Sequence, residues 1–202
     1  KMALSGVKIL GTDSANVDKA EDRSKFSSLL DNLKIPQPSW RAFTSIEDSY
    51  TFGKSEGYPL LVRPSYVLSG AAMRTVWSPR QLKKFLKDAA QVSPEYPVVI
   101  SKFMLDAKEA EVDAVSDGTN VFIGAVIEHI ENAGVHSGDA MMCIPPKSLE
   151  PSEEALIINY TKRVAIALQI KGPFNIQFLV KNGNVFVIEC NLRASRSMPF
   201  VS

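Results

Sequence analysis

The sequence is poor in cysteine and histidine, and it has no long apolar run. Its two cysteines, Cys143 and Cys190, form no C-x-x-C pair and are too few for a disulfide framework, so they read as reduced thiols. No apolar stretch approaches the roughly 20 residues that a membrane-spanning helix needs. Residues 1–6 lack the charged and apolar regions of a signal peptide. An excess of charge is missing too: 23 Lys and Arg against 22 Asp and Glu leave a net charge of +1. So balanced a chain offers no electrostatic footprint for nucleic acid or for an anionic membrane. Any polyanion it binds must be held by local geometry.

What is present is an ordinary globular composition. The 202 residues are 45% hydrophobic and 22% charged, too apolar for disorder and enough for one core, or a core with a small satellite domain. Residues 7–12 read as a strand and turn close to the start, and residues 199–202 stop without a polar tail. Both ends read as cuts through a longer polypeptide.

Along the chain, residues 13–34 have helical character, with Phe26, Leu29, Leu30 and Leu33 at helical spacing, and Pro36 and Pro38 stop them. A second amphipathic helix is expected over 45–56, closing at Gly57. Residues 58–64 form a short apolar strand ending in Arg63, 65–72 a loop containing Ser65, Ser69 and Gly70, and 73–77 another strand. Ser78 and Pro79 open a helix through Ala90, and 98–103 is a strand. Strands follow at 109–115 and 121–130 around a turn at Asp117 and Gly118. A capped helix is expected over 151–170, with Ser152 ahead of Glu153 and Glu154. Strands 174–180 and 185–190 then meet at Lys181, Asn182, Gly183 and Asn184, a strong hairpin signal. The order predicts an α+β architecture with a small inserted lobe.

Three stretches could carry chemistry. Along 187–193, where strand side chains alternate, Glu189 and Asn191 project to the same side, and Arg193 with them if the strand runs on. A carboxylate and an amide two residues apart suit a hard divalent cation, which takes oxygen ligands, waters and phosphates; alternatively they are an ordinary polar strand face. Gln177 joins them only in one register. A tight two-residue turn would set it opposite Ile188, whereas one extra residue in the turn, with Gly183 at positive φ, sets it opposite Glu189. The second register is the expected one. The loop after Arg63 has small residues whose backbone could approach a phosphate, without a Walker A pattern; a plain solvent hairpin is the alternative. Residues 128–139 hold both histidines and three acids, but their spacing fits no standard zinc pattern. His129, on a strand among apolar neighbours, reads as structural, and His136 lies in a glycine-flanked loop able to contact a ligand.

Taken together, RPSYVLSG at 63–70, EHIENAGVHSGD at 128–139 and ECNLRASRS at 189–197 resemble the large, synthetase component of carbamoyl-phosphate synthetase. Gly11, Thr12 and AEDR at 20–23 fit as well. The resemblance covers almost the whole chain and is closest to the second of that family's two ATP-grasp halves, in its eukaryotic form. It implies an ATP-grasp fold, a small lid lobe plus a larger antiparallel-sheet lobe, truncated at both ends. Residues 1–18 would end a preceding segment and 19–202 would be the ATP-grasp domain, with the lid lobe at about 44–104.

The resemblance also implies roles by position. Arg23 and Arg63 match phosphate-contacting arginines; Lys102, Phe103 and Met104 the adenine hinge; Glu109 the ribose-binding acid; Gly134, Val135, His136 and Ser137 a nucleotide-contacting loop. Gln177, Glu189 and Asn191 match metal ligands. Arg193, with Arg63 and Arg196, matches the cations near the transferred phosphoryl group. At position 102 the family varies, so the backbone of Lys102 is expected to matter more than its side chain. The implied cofactors are ATP and Mg2+ (or Mn2+), and the implied reaction is phosphorylation of carbamate, with the 65–72 loop closing over the nucleotide. The implied partners are the rest of the synthetase polypeptide and a glutaminase domain or subunit, with no nucleic acid and no membrane. The expected setting is the cytoplasm, or alternatively the mitochondrial matrix. The competing readings are another ATP-grasp ligase, such as a biotin-carboxylase-like protein, and a non-catalytic nucleotide-binding or regulatory domain.

Overall fold

The computed structural model describes residues 9–64, 73–92, 98–134 and 140–202. Two antiparallel sheets face one another across a cleft. The smaller, with strand order β1-β4-β2-β3, comprises β1 (Trp40–Phe43), β2 (Leu60–Pro64), β3 (Arg74–Val76) and β4 (Val98–Lys102). The larger, ordered β7-β6-β5-β8-β9, comprises β5 (Lys108–Asp117), β6 (Val121–Asn132), β7 (Met142–Cys143), β8 (Lys171–Lys181) and β9 (Asn184–Asn191). Among the described residues, no helix is long and apolar enough to cross a membrane.

Each sheet has an apolar face and a cleft face, because strand side chains alternate. In the smaller sheet Leu60, Val62 and Ile100 pack with Phe43, Phe52, Leu82 and Leu86 under helices α3 (Ile46–Glu56) and α4 (Pro79–Val92). Leu61, Arg63 and Ser101 turn the other way, into the cleft. In the larger sheet Ala110, Val112, Phe174, Ile176 and Phe178 form the main core with Ile157 and Val164 of α5 (Pro151–Ala167) and Leu168 just after it. Phe26 and Leu30 add to it from α2 (Arg23–Asn32). Burying side chains of this size contributes about 1.5–3 kcal/mol each, which fixes the sheet from behind and leaves its front for polar groups.

Several local features differ from the sequence-based expectation. The expected helix over 13–34 is two helices, α1 (Ser14–Glu21) and α2. Asp22 breaks it: its backbone is extended (ψ 115°) and its carboxylate accepts the N–H groups of Ser24 and Lys25 at 2.9 and 3.0 Å, a standard N-terminal cap. Arg23 thereby becomes the first residue of α2. Helix α5 starts at residue 151 as expected, but its N-cap is Glu150, whose backbone N–H donates to Glu153 at 2.9 Å, and it ends at Ala167 and not at 170. Strands β1 and β7 and the short α6 (Met198–Val201) had no clear sequence signal. Of the expected first strand only residues 9–12 are described, and they join neither sheet; the Thr12 hydroxyl instead accepts the Lys171 N–H at 2.9 Å.

The β8–β9 hairpin has the expected pairing for a different reason. Lys181 pairs with Asn184 across a two-residue turn, Asn182 and Gly183, both at positive φ (51° and 76°), which suits the right-handed strand twist. The pairing runs unbroken to Phe178 opposite Val187, and then Gln177 sits opposite Glu189. The extra residue is Ile188, a bulge within β9, and not a residue of the turn.

Candidate functional site

The bulge decides which way Glu189 points. Val185 and Val187 face the core, and strict alternation would send Glu189 after them. With Ile188 inserted, Cys190 takes the core position opposite Ile176, while Glu189 and Asn191 swing to the cleft face beside Gln177 and Asn175. Bulges are used in this way to re-aim a side chain. The cleft has a volume of about 500 Å³ and is walled by both sheets.

Glu189 is tied in place. Its Oε2 lies 2.5 Å from Arg23 Nη2, and its Oε1 accepts the Asn191 amide at 3.1 Å. Burial opposes its ionisation, but the Arg23 guanidinium and these hydrogen bonds outweigh burial and hold its pKa below the usual carboxylate value. Arg63 reaches the same place from the smaller sheet. Its Nε is buried with no hydrogen-bond partner among the described residues, and burial together with the neighbouring Arg23 pushes its pKa down to about 10, Glu189 acting against them. Two guanidiniums and one carboxylate leave local positive charge, with a buried donor on a residue that lines the cleft. An anion would satisfy both.

At the other end Phe103 and Met104 follow β4 and line the cleft. Gly134 is held against Phe103: a Cβ there would come within 2.7 Å of the ring, and its φ is +81°. Glycine therefore permits the approach that closes this end. The Lys102 side chain turns to the end of α3, its Nζ donating to the carbonyls of Glu56 and Gly57 at 3.1 and 3.0 Å, where a cation complements the helix terminus.

Residues 128–139 divide. Glu128 points away from the cleft and accepts the N–H groups of Lys147 and Ser148, both at 2.8 Å, together with the Ser148 hydroxyl. Glu131 accepts the Met141 N–H at 3.0 Å. His129 turns into the cleft with its Nδ1 3.9 Å from Glu109 and its Nε2 3.6 Å from Glu111. Burial works against a charged ring, but Glu111 and Glu109 overcome it and hold its pKa above the ordinary histidine value. The pKa of Glu111 is lowered in return, hydrogen bonding and charge overcoming burial. That of Glu109 is raised, because burial, Glu111 and Glu189 outweigh His129. The structural reading of His129 thus misses its acidic neighbours.

The structure brings together Arg23, Arg63, Lys102, Met104, Glu109, Gly134, Gln177, Glu189, Asn191, Arg193 and Arg196 on one cleft, except that Arg23 enters it through Glu189. Val135, His136 and Ser137, and the 65–72 loop, lie outside the described residues. Sequence reasoning missed Glu111, Asp113 and Asn175. The signal was the alternation of Glu109, Glu111 and Asp113, which sets three acids on one strand face.

No group of three His, Cys, Asp or Glu that could hold a metal occurs among the described residues. The donor set opposite Arg63 is one carboxylate and two side-chain amides. It fits a Mg2+ that takes part of its shell from phosphate oxygens and water, and would not suit a zinc site.

Two sheets closing on a nucleotide-sized cleft define the ATP-grasp fold. Biotin carboxylase from Campylobacter jejuni, solved as a βγ-ATP complex, superposes with a TM-score of 0.83 at 20% identity, covering 96% of this chain and 45% of its own. D-alanyl-alanine synthetase A from Vibrio cholerae gives 0.84 at 18% identity, covering 99% and 65%. The chain belongs to the family described as carbamoyl-phosphate synthase L chain, ATP-binding domain, whose model matches residues 22–202. A carbamoyl phosphate synthase large chain from Hyperthermus butylicus is 57% identical over 98% of this chain. The human mitochondrial carbamoyl-phosphate synthase [ammonia] is 51% identical over 98%. The chain spans only 18% and 13% of the lengths of these two relatives.

Proposed function

We propose that this chain is the part of a longer synthetase that binds ATP with Mg2+ and transfers its γ-phosphoryl group to the oxygen of carbamate, giving carbamoyl phosphate and ADP. The observation that carries this reading is the face shared by Gln177, Glu189 and Asn191 across the cleft from Arg63, whose buried Nε has no hydrogen-bond partner among the described residues. Residues 1–18 end a preceding segment and 19–202 carry the ATP-grasp domain, with a smaller lobe at about 44–104. The rest of the synthetase polypeptide and a glutaminase domain or subunit, by kinship with the multidomain and large-chain relatives, complete the enzyme.

Phosphoryl transfer asks little covalent chemistry of a protein; it asks for in-line positioning and neutralised charge. Phe103 and Met104 seat the base, with Gly134 allowing the close approach, and Glu109 receives the ribose. Arg23 and Arg63 hold the polyphosphate. Gln177, Glu189 and Asn191 would hold Mg2+, which would supply neutralisation of the polyphosphate's negative charge. Arg193 and Arg196, at the mouth of the cleft, meet the negative charge that spreads over the transferred group. Enclosure between the sheets keeps out water, which would otherwise take the phosphoryl group.

The test is ATP formation from ADP and carbamoyl phosphate, the same step run backwards, by the full-length polypeptide with Mg2+. Arg63→Ala should lower turnover at least about a hundredfold, the usual scale for one charge-stabilising donor. Turnover within twofold of wild type would remove the reading.

A further inference from the structure

One cluster beside the cleft has no part in the chemistry described so far. Asp113 lies two residues beyond Glu111 on the cleft face of β5 and is wholly buried. A buried carboxylate needs donors, and three side chains supply them. Asn175 Nδ2 donates to Oδ1 at 3.0 Å, and the hydroxyls of Ser195 and Ser197 each lie 2.6 Å from Oδ2. The protons can be followed. Ser195 Oγ accepts the Met198 N–H at 3.1 Å, so its single proton is available to Asp113. Ser197 Oγ lies between Asp113 and Glu111, 3.1 Å from the latter, and 2.9 Å from Ser195 Oγ.

These serines belong to the segment between β9 and α6, which carries Arg193 and Arg196. The ladder holds this segment as far as Asn191, opposite Asn175. Arg193 is exposed, and among the described residues its guanidinium donates to its own loop, to the Ala194 carbonyl at 3.4 Å. Arg193 therefore lies between two fixed points, Asn191 and Ser195, and Arg196 between the two serines. Asn175 joins the anchors, since it pairs with Asn191 on one side and Asp113 on the other.

We propose that Asp113 is a positioning residue: through Ser195 and Ser197 it pins the 192–197 segment to the large sheet so that Arg193 and Arg196 face the transferred phosphoryl group. The inference rests on the phosphoryl-transfer reading above. Asp113 touches no substrate. It fixes where two cations sit, and a displacement of about 1 Å at such a group can cost a hundredfold in rate.

The experiment uses the full-length polypeptide and the reverse reaction, ATP formation from ADP and carbamoyl phosphate with Mg2+. The variants are Asp113→Asn, Ser195→Ala with Ser197→Ala, all three together, and Ser195→Thr. The double serine variant deletes only two hydroxyls, so it tests the idea even where Asp113→Asn fails to fold. Its kcat should fall about 10- to 100-fold, with the KM for ADP within twofold. Adding Asp113→Asn to it should cost less than threefold more, because both act through one contact. Ser195→Thr, which keeps the hydroxyl, should retain at least half of the wild-type kcat. Serine variants with wild-type kcat, a loss confined to KM, or a full additional loss from Asp113→Asn would overturn the proposal. A wild type that binds ADP but forms no ATP removes the phosphoryl-transfer reading and this inference with it. A working wild type with unaffected variants removes this inference alone.

Discussion

Replacing Glu189 by glutamine should uncouple nucleotide binding from magnesium. The substitution keeps the shape and the hydrogen-bonding length of the side chain and deletes one unit of charge. Because Arg23 holds the Glu189 pKa below the usual carboxylate value, that charge is fully present at pH 7. Glu189 is also the only anionic donor among the proposed ligands, so its replacement would leave a neutral set of three amides facing a hard dication. We expect the magnesium-dependent part of ATP affinity to fall by at least about 2 kcal/mol, near thirtyfold. The opposite change is expected without metal. Arg23, released from its 2.5 Å contact, stands with Arg63 as a second uncompensated guanidinium and attracts the bare polyphosphate more strongly, so metal-free affinity should hold or rise. Arg23 and Glu189 side chains are 25% and 23% exposed, so the freed arginine can rehydrate, and the cost in fold stability should stay below about 2 kcal/mol. Calorimetric titration of ATP into the full-length polypeptide, with Mg2+ and with a chelator, reads both effects. In Glu189→Gln the two affinities should come within a few-fold of one another. An unchanged ratio would show that Glu189 does not carry the metal and would refute the reasoning.

Gly134→Ala should weaken ATP binding about tenfold, since the methyl group meets Phe103 and the backbone is left-handed at φ +81°; a binding titration checks it. Deleting Ile188 should remove the bulge and let the ladder run on regularly, with Glu189 next after Val187 and still opposite Gln177 on the cleft face; a titration in which this variant loses the magnesium dependence of ATP binding would contradict the bulge argument. The pKa of His129 is raised in the fold, so its protonation contributes stability that is complete below about pH 6.5 and lost as the pH rises through the elevated value. Proton NMR of the ring should therefore titrate above about pH 6.5, and Glu111→Gln should move that titration down.

Alternation alone set Glu189 beside Asn191 on one face of the large sheet, whereas grouping Gln177 with them needed the assumption of one extra residue in the hairpin. The position of the extra residue was not legible. Asn182 and Gly183 satisfy the tight turn as well as a bulged one, and no residue type marks Ile188 as the insertion, since an isoleucine suits a regular strand equally. The break at Asp22 was hidden because an aspartate within a helical pattern reads as a first-turn acid until its neighbours show that it caps. Glu128 and His129 look like parts of one cluster in sequence, but a strand sends consecutive side chains to opposite faces. Arg23 and Glu189, 166 positions apart, meet only through the packing of α2 on the sheet.

The bulge at Ile188 makes the site a matter of residue count. Between the turn at Asn182 and Gly183 and the donor at Glu189 the chain holds one residue more than a regular ladder needs, and taking it up as a bulge is what leaves the carboxylate in the cleft. A change that flattens the bulge while keeping Ile188 should therefore send the carboxylate to the core, while loss of that one residue should be far better tolerated. Register along β9, as much as the identity of the residues it carries, is under chemical constraint.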